Sequence, residues 1–384
     1  MSMRAFAAAS LLLIATFALR ADERAAAADT WDQAAVTRYL DARMDLWWTK
    51  AKTLRTGAGE TKCLSCHTAV PYALVRPSLR RVRGESAPTA HEEKMFDIVR
   101  QRVAYNAADQ PYYDHTADKK VESRGVEPVL NALVLTTRDA GSASGESSAL
   151  TRAAMNRLWD VQRPDGAWDW FNFGLEPFEA PDAVYHGAAL AALAAGSPSG
   201  LRASADAKGQ AGLEKLRRYL HDGAASQRLF NRAWLLVASA RLEGVLSPEE
   251  GLVIVRDLEQ RQRADGGWSL ADLGPWRWTR QDPPFAAPGT TDSTLLAASD
   301  GYATGLVVYA MRQAGVAATH PAVVKGQQWL RTHQLAERAG DPAWAPWRAY
   351  SLNFDREQGG DKGEPWRRLF MSDLATAFAA LALL

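Results

Sequence analysis

Gln162-Arg163-Pro164-Asp165-Gly166-Ala167-Trp168 and Gln262-Arg263-Ala264-Asp265-Gly266-Gly267-Trp268 share the pattern Gln-x-x-Asp-Gly-x-Trp, 100 residues apart. Internal similarity at a fixed period implies a stacked or closed array of similar units. Each copy follows a helical stretch and precedes, after a loop, an alanine-rich one. Asp-Gly turns the chain, and glycine accepts the left-handed backbone that ends a helix. Gln and Trp are then expected to tie the helix end to the loop by hydrogen bonding and stacking.

Two helical hairpins fit between the copies, so the repeating unit is about fifty residues. That ruler places charge-bearing amphipathic helices near 31–55, 90–107, 148–163, 205–222, 247–263 and 319–334. Smaller, more apolar helices alternate with them near 66–80, 126–139, 180–195, 228–243, 299–314 and 370–384. Helices polar on one face belong outside, and those apolar nearly all round belong inside. The expected fold is therefore all-α, a single (α/α)6 toroid of six outer and six inner helices over residues 29–384. Length alone, at 384 residues, suggests two or three domains. The repeat argues for one.

The Gln-x-x-x-Gly-x-Trp spacing resembles the QW motif of squalene–hopene cyclases, and the alternating helices resemble the wider terpenoid cyclase and protein prenyltransferase toroids. The sharp matches are the two segments quoted, with Trp329 and Trp344 a weaker third. The resemblance implies one α/α barrel with a cavity framed by the inner helices, and an apolar small molecule as its ligand. It does not carry over those families' catalytic residues. The acidic Asp-x-Asp-Asp cluster that protonates squalene has no counterpart here, so cyclase activity is not expected. The zinc of prenyltransferases needs a cysteine, and both cysteines of this chain are committed elsewhere.

They lie in Cys63-Leu64-Ser65-Cys66-His67. Cys-x-x-Cys-His is the attachment signature of one covalent haem c, with two thiols joined to the vinyl groups and His67 as the proximal iron ligand. Without the histidine, Cys-x-x-Cys suggests a redox dithiol, half a zinc site or a short disulfide. No second cysteine pair completes a zinc ribbon, which leaves a disulfide or bare dithiol as the alternative. The N-terminus favours haem. Arg4 precedes an apolar stretch over 5–19, and Ala25-Ala26-Ala27-Ala28 offers a cleavage site. Residues 1–28 read as a secretory signal peptide, and a periplasmic or secreted location is expected. The stretch is shorter than the roughly 20 residues that span a bilayer, and no membrane span is expected elsewhere. A net charge of +1 points to no nucleic acid.

Cys66 and His67 fall at the start of the first inner helix. In such a barrel the haem belongs at the cavity mouth, facing the first turns of the other inner helices. Those turns supply Glu127, Tyr185, His186, Asp300 and Tyr302, candidates for lining the cavity. Ser299 and Ser372 read as helix caps. His186 and His115 are the candidate distal iron ligands, while Met95, His221, His320 and His333 fall on outer helices. The loop 273–298, with Pro283-Pro284, is a candidate lid. Paired tryptophans at helix ends lock outer helices to loops or line an isoprenoid site.

Two function classes follow. One is an exported c-type cytochrome that transfers electrons to a redox partner protein or supports a haem-dependent oxidation. The other is an isoprenoid-binding or cyclising protein in which the cysteines are incidental. A scaffold or sensor that carries haem and catalyses nothing is a third. Haem in the purified chain separates the first class from the second.

Overall fold

The computed structural model describes residues 30–56, 59–107, 110–140, 147–277, 296–338, 340–353 and 365–384. Residues 1–28, expected to be a signal peptide, lie outside them, as does most of the candidate lid. Among the described residues the protein is all-α, with six polar-faced helices, six apolar ones, one short connecting helix and one two-stranded hairpin, β1 Thr53–Thr56 and β2 Gly59–Lys62.

Six helices carry the polar faces: α1 Gln33–Lys50, α3 Ala90–Ala107, α5 Ala149–Asp160, α8 Ala207–Gly223, α10 Pro248–Glu259 and α12 Pro321–Thr332. Six others are the apolar set: α2 Ala69–Val82, α4 Ala117–Ala140, α6 Ala183–Ala195, α9 Leu229–Ser239, α11 Gly301–Gln313 and α13 Phe370–Leu383. A short α7, Pro198–Ala203, joins α6 to α8. The apolar helices pack in sequence order, α2 on α4, α4 on α6, α6 on α9, α9 on α11 and α11 on α13. Helix α13 then packs back on α2, so the order is cyclic. Each polar helix packs on one or two apolar helices from outside this succession. Among the described residues no helix is long and apolar enough to cross a membrane.

The repeated heptapeptide builds the same joint twice. Gly166 and Gly266 adopt φ of +101° and +91°, left-handed backbone in the turns beyond the ends of α5 at Asp160 and α10 at Glu259. Glycine therefore shapes the turn and, against expectation, does not end the helix. Gln162 Nε2 donates to the carbonyls of Gly166 and of Gly212 on α8, both at 3.0 Å. Gln262 Nε2 repeats this on Gly266 and on Ala322 of α12, both at 2.9 Å. Trp168 and Trp268 send their indole N–H to Leu158 and Leu258, at 2.9 and 2.7 Å. Each joint thus bolts one outer helix to the next. A side chain at Gly166 would also meet the Lys215 carbonyl at 2.3 Å, so the turn and the packing both demand glycine.

Close approach of the inner helices follows from small residues. A Cβ on Gly305 of α11 would lie 2.5 Å from the Phe378 backbone of α13. The space between the inner helices is then filled by rings. His186 meets Trp234 at 4.8 Å, Trp234 meets Phe378 at 5.3 Å, and Phe378 meets Tyr302 at 5.4 Å. These rings form an aromatic hub among α6, α9, α11 and α13.

Two boundaries differ from the sequence expectation. The first outer helix stops at Lys50 rather than near 55, because β1 and β2 take over the chain before Cys63. The second inner helix starts at Ala117, well before 126, so Glu127 sits inside it and not in its first turn.

Candidate functional site

The pentapeptide 63–67 connects β2 to α2. Ser65, within the motif, caps the helix: its hydroxyl accepts from the N–H groups of Thr68 and Ala69 at 3.1 and 3.0 Å. Leu64 and Ser65 are buried, and this fixes the two flanking cysteines in place. Cys63 and Cys66 are half-buried free thiols with no disulfide between them. Burial pushes the Cys63 thiol up to about 12 and the Cys66 thiol also far up.

His67 is held on several sides. Its ring stacks on Phe370 at 3.7 Å and meets Trp47 edge-on at 5.2 Å. Its Nδ1 lies 2.9 Å from the Thr68 hydroxyl, and Thr68 Oγ1 donates to Asp373 Oδ2 at 2.6 Å. Asp373, buried at the start of α13, also accepts from Tyr39 Oη at 2.7 Å. Arg43 meets both its oxygens, through Nε at 2.6 Å and Nη2 at 3.0 Å.

Cys63 and His67 open on a cavity of about 400 Å³. Its walls are the rings of Trp47, Tyr112, Tyr113, Phe173, Trp366 and Phe370. Lys50, Lys52 and Arg367 bring three cations to it, and Glu179 brings one carboxylate. A smaller cavity of about 60 Å³ lies alongside, bordered by Cys66, His67, Glu179, Phe370 and Met371. The hairpin of Leu175 and Glu179 holds Phe173 over the larger space and Glu179 beside both.

The residue types suit a covalent haem. Cys63 and His67 border the larger space and Cys66 and His67 the smaller one, the larger space has six flat aromatic rings in its walls, and cations are available there for two propionates. Haem iron takes four nitrogens from the porphyrin, so one histidine is enough. Among the described residues no group of three or more His, Cys, Asp or Glu could hold a bare metal ion.

The other candidates are dispersed. Glu127 is buried near Cys63, where Arg102 Nη2 at 2.5 Å, Asn106 Nδ2 at 2.6 Å, the Tyr112 N–H at 2.6 Å and the Ser123 hydroxyl take up its oxygens. It anchors the loop that carries Tyr112 and Tyr113. Asp300 caps α11, accepting from the N–H groups of Tyr302 and Ala303 at 2.9 and 2.8 Å. The cap is thus Asp300 and not Ser299, whose hydroxyl donates to Asp265 at 2.9 Å. Ser372 does not cap α13 either, since Leu369 holds that position. Tyr185 gives its hydroxyl proton to the Leu220 carbonyl and borders a separate polar cavity of about 410 Å³ with Asp182 and Arg228.

Tyr302 and His186 belong to the aromatic hub. Trp170, Phe178, Phe230 and Trp234 surround His186, and burial lowers its pKa to about 3. Phe178 stands between it and the cavity beside His67, since it lines that cavity and contacts the His186 ring at 5.5 Å. His115 is exposed and touches Tyr113 at 6.1 Å, one residue removed from the larger cavity. Met95 is buried on α3.

Sequence reasoning missed Thr68, Phe173, Glu179, Trp366, Arg367, Phe370 and Met371. They come from loops and helix starts without periodic signal, and only the closure of α13 onto α2 brings several of them to His67. No protein-family model and no curated protein matches this sequence.

Proposed function

We propose that this chain is an exported c-type haem protein whose cyclic succession of helices is an (α/α)6 toroid. The haem would be bonded to Cys63 and Cys66 and ligated by Nε2 of His67. One observation carries the reading: Cys63 and His67 border a cavity walled by six rings and supplied with three cations, and Cys66 borders the smaller space beside it together with His67. When bound there, the group supplies a one-electron iron couple.

The chain's own residues do the rest. Phe370 and Trp47 fix the plane of the His67 ring. The aromatic rings lining the cavity offer flat apolar faces to the group. Lys50 and Lys52 are exposed at the rim and Arg367 is half-buried, so the cations can offset propionate charge while remaining near solvent. Exposed cations at the mouth also favour encounter with an acidic redox partner protein. Electron transfer suits a site at the rim of the fold, because the partner need not enter the packed hub. A periplasmic location follows from the leader-like residues 1–28 and from the chemistry of haem attachment.

The test is expression with a c-type maturation system, followed by the pyridine haemochrome spectrum. The proposal expects the spectrum of a haem with both vinyls converted to thioethers. Cys63→Ala with Cys66→Ala should abolish covalent colour while retaining helical content. A colourless parent chain with full helicity would refute it.

A further inference from the structure

We propose that Thr68 and Asp373 are positioning residues that fix the tautomer of His67 and strengthen it as an electron donor. This rests on the haem reading above, and it concerns residues that the Cys-x-x-Cys-His pattern does not contain.

Thr68 occupies the N-cap position of α2, where a threonine ordinarily caps the helix. It makes no side-chain cap bond. Ser65 performs that task, accepting from the Thr68 N–H itself. The Thr68 hydroxyl is thereby released for other partners, and it has one proton to give. Asp373 is paired through both oxygens with Arg43, so it is an acceptor, and the 2.6 Å contact assigns the hydroxyl proton to it. Towards His67, 2.9 Å away, Thr68 Oγ1 can then only accept. The proton must sit on His67 Nδ1, which leaves the lone pair on Nε2 as the ligand atom.

The same chain of bonds sets the strength of the ligand. A ring N–H held by a carboxylate-backed acceptor makes the opposite nitrogen more basic. Thr68, Asp373 and Arg43 are all buried, so little solvent screens the effect. A more basic Nε2 favours ferric over ferrous iron. Arg43 shares the carboxylate charge and tempers the donation, and Tyr39 holds the far side of the carboxylate.

Thr68→Val keeps the side-chain shape and removes the acceptor. The experiment is equilibrium redox titration of the haem-loaded parent, Thr68→Val, Thr68→Ser and Asp373→Asn, with covalent loading checked first. At fixed ambient potential, Thr68→Val should shift the ferric-to-ferrous ratio about tenfold towards ferrous, 59 mV for a one-electron couple. Thr68→Ser should restore the parent value, and Asp373→Asn should move in the same direction as valine. A purely structural role would change stability and leave the potential alone. Loaded valine or asparagine variants with the parent potential overturn this proposal and leave the haem reading standing. A parent chain that takes up no covalent haem overturns both.

Discussion

The phenyl ring of Phe370 lies nearly parallel to the imidazole of His67, with centroids 3.7 Å apart and an interplanar angle of 17°. The contact joins the start of α13 to the start of α2, the seam at which the cyclic order of inner helices closes. A ring pair of this kind is worth about 1 kcal/mol beyond its buried area. Phe370→Ala should therefore lower the urea midpoint of the chain and broaden the His67 ring resonances in NMR. Unchanged resonances would mean that other neighbours hold the imidazole.

The Arg43–Asp373 pair braces the same seam from within. Removing one partner of a buried, hydrogen-bonded ion pair leaves an uncompensated charge and costs about 3–5 kcal/mol. Tyr39→Phe removes one 2.7 Å bond to the same carboxylate and should cost about 1 kcal/mol. Denaturant unfolding should thus rank the parent above Tyr39→Phe, and Tyr39→Phe well above Arg43→Ala. Equal losses in the two variants would contradict this account of the cluster.

The two heptapeptide joints predict a matched pair of effects. Gln162→Ala removes the donor to the carbonyls of Gly166 and Gly212, and Gln262→Ala removes the donor to those of Gly266 and Ala322. Each should destabilise by about 1–3 kcal/mol. The joints share no partners, so the double variant should show the sum of the single effects. A marked departure from additivity would show that the joints are coupled through the inner helices.

His186 and Asp300 give stability a pH dependence of opposite signs. Burial lowers His186 to about 3 from an ordinary 6.5, so the unfolded chain takes up this proton first. Its contribution is whole above about pH 6.5 and is lost as pH falls towards 3, at about 1.4 kcal/mol per pH unit inside that window. Asp300 runs the other way. Burial raises it to about 6 from 3.8, so its contribution is present below 3.8 and lost as pH rises through about 6. His186→Phe should flatten the acid limb of the stability profile relative to the parent. An acid limb of the same slope in the variant would place its origin elsewhere.

The order and position of the helices could be read from the sequence because amphipathic and wholly apolar stretches alternate with turn chemistry at a regular spacing. Gln162, Trp168 and their counterparts tie helix end to loop as their types suggested, whereas Gly166 and Gly266 shape the following turn and not the helix end. The hairpin of β1 and β2 was missed, since Thr53-Leu54-Arg55-Thr56 is too short to show a period of two against a helical background. Within the site, Cys63, Cys66 and His67 were legible as one local motif. Phe370, Trp366 and Glu179 were not, because their approach to His67 depends on ring closure and loop course. Position in a first turn also says little about direction. Tyr185 and Asp300 sit where expected, yet one turns to the outer helix α8 and the other to its own backbone.

Intact-mass analysis of the chain purified under denaturing conditions, after expression with haem c maturation, tests the central claim most directly. The account predicts one haem per chain that survives denaturation and maps to the peptide containing 63–67. A mass equal to the bare polypeptide, from a chain that folds with its full helical content, would contradict it.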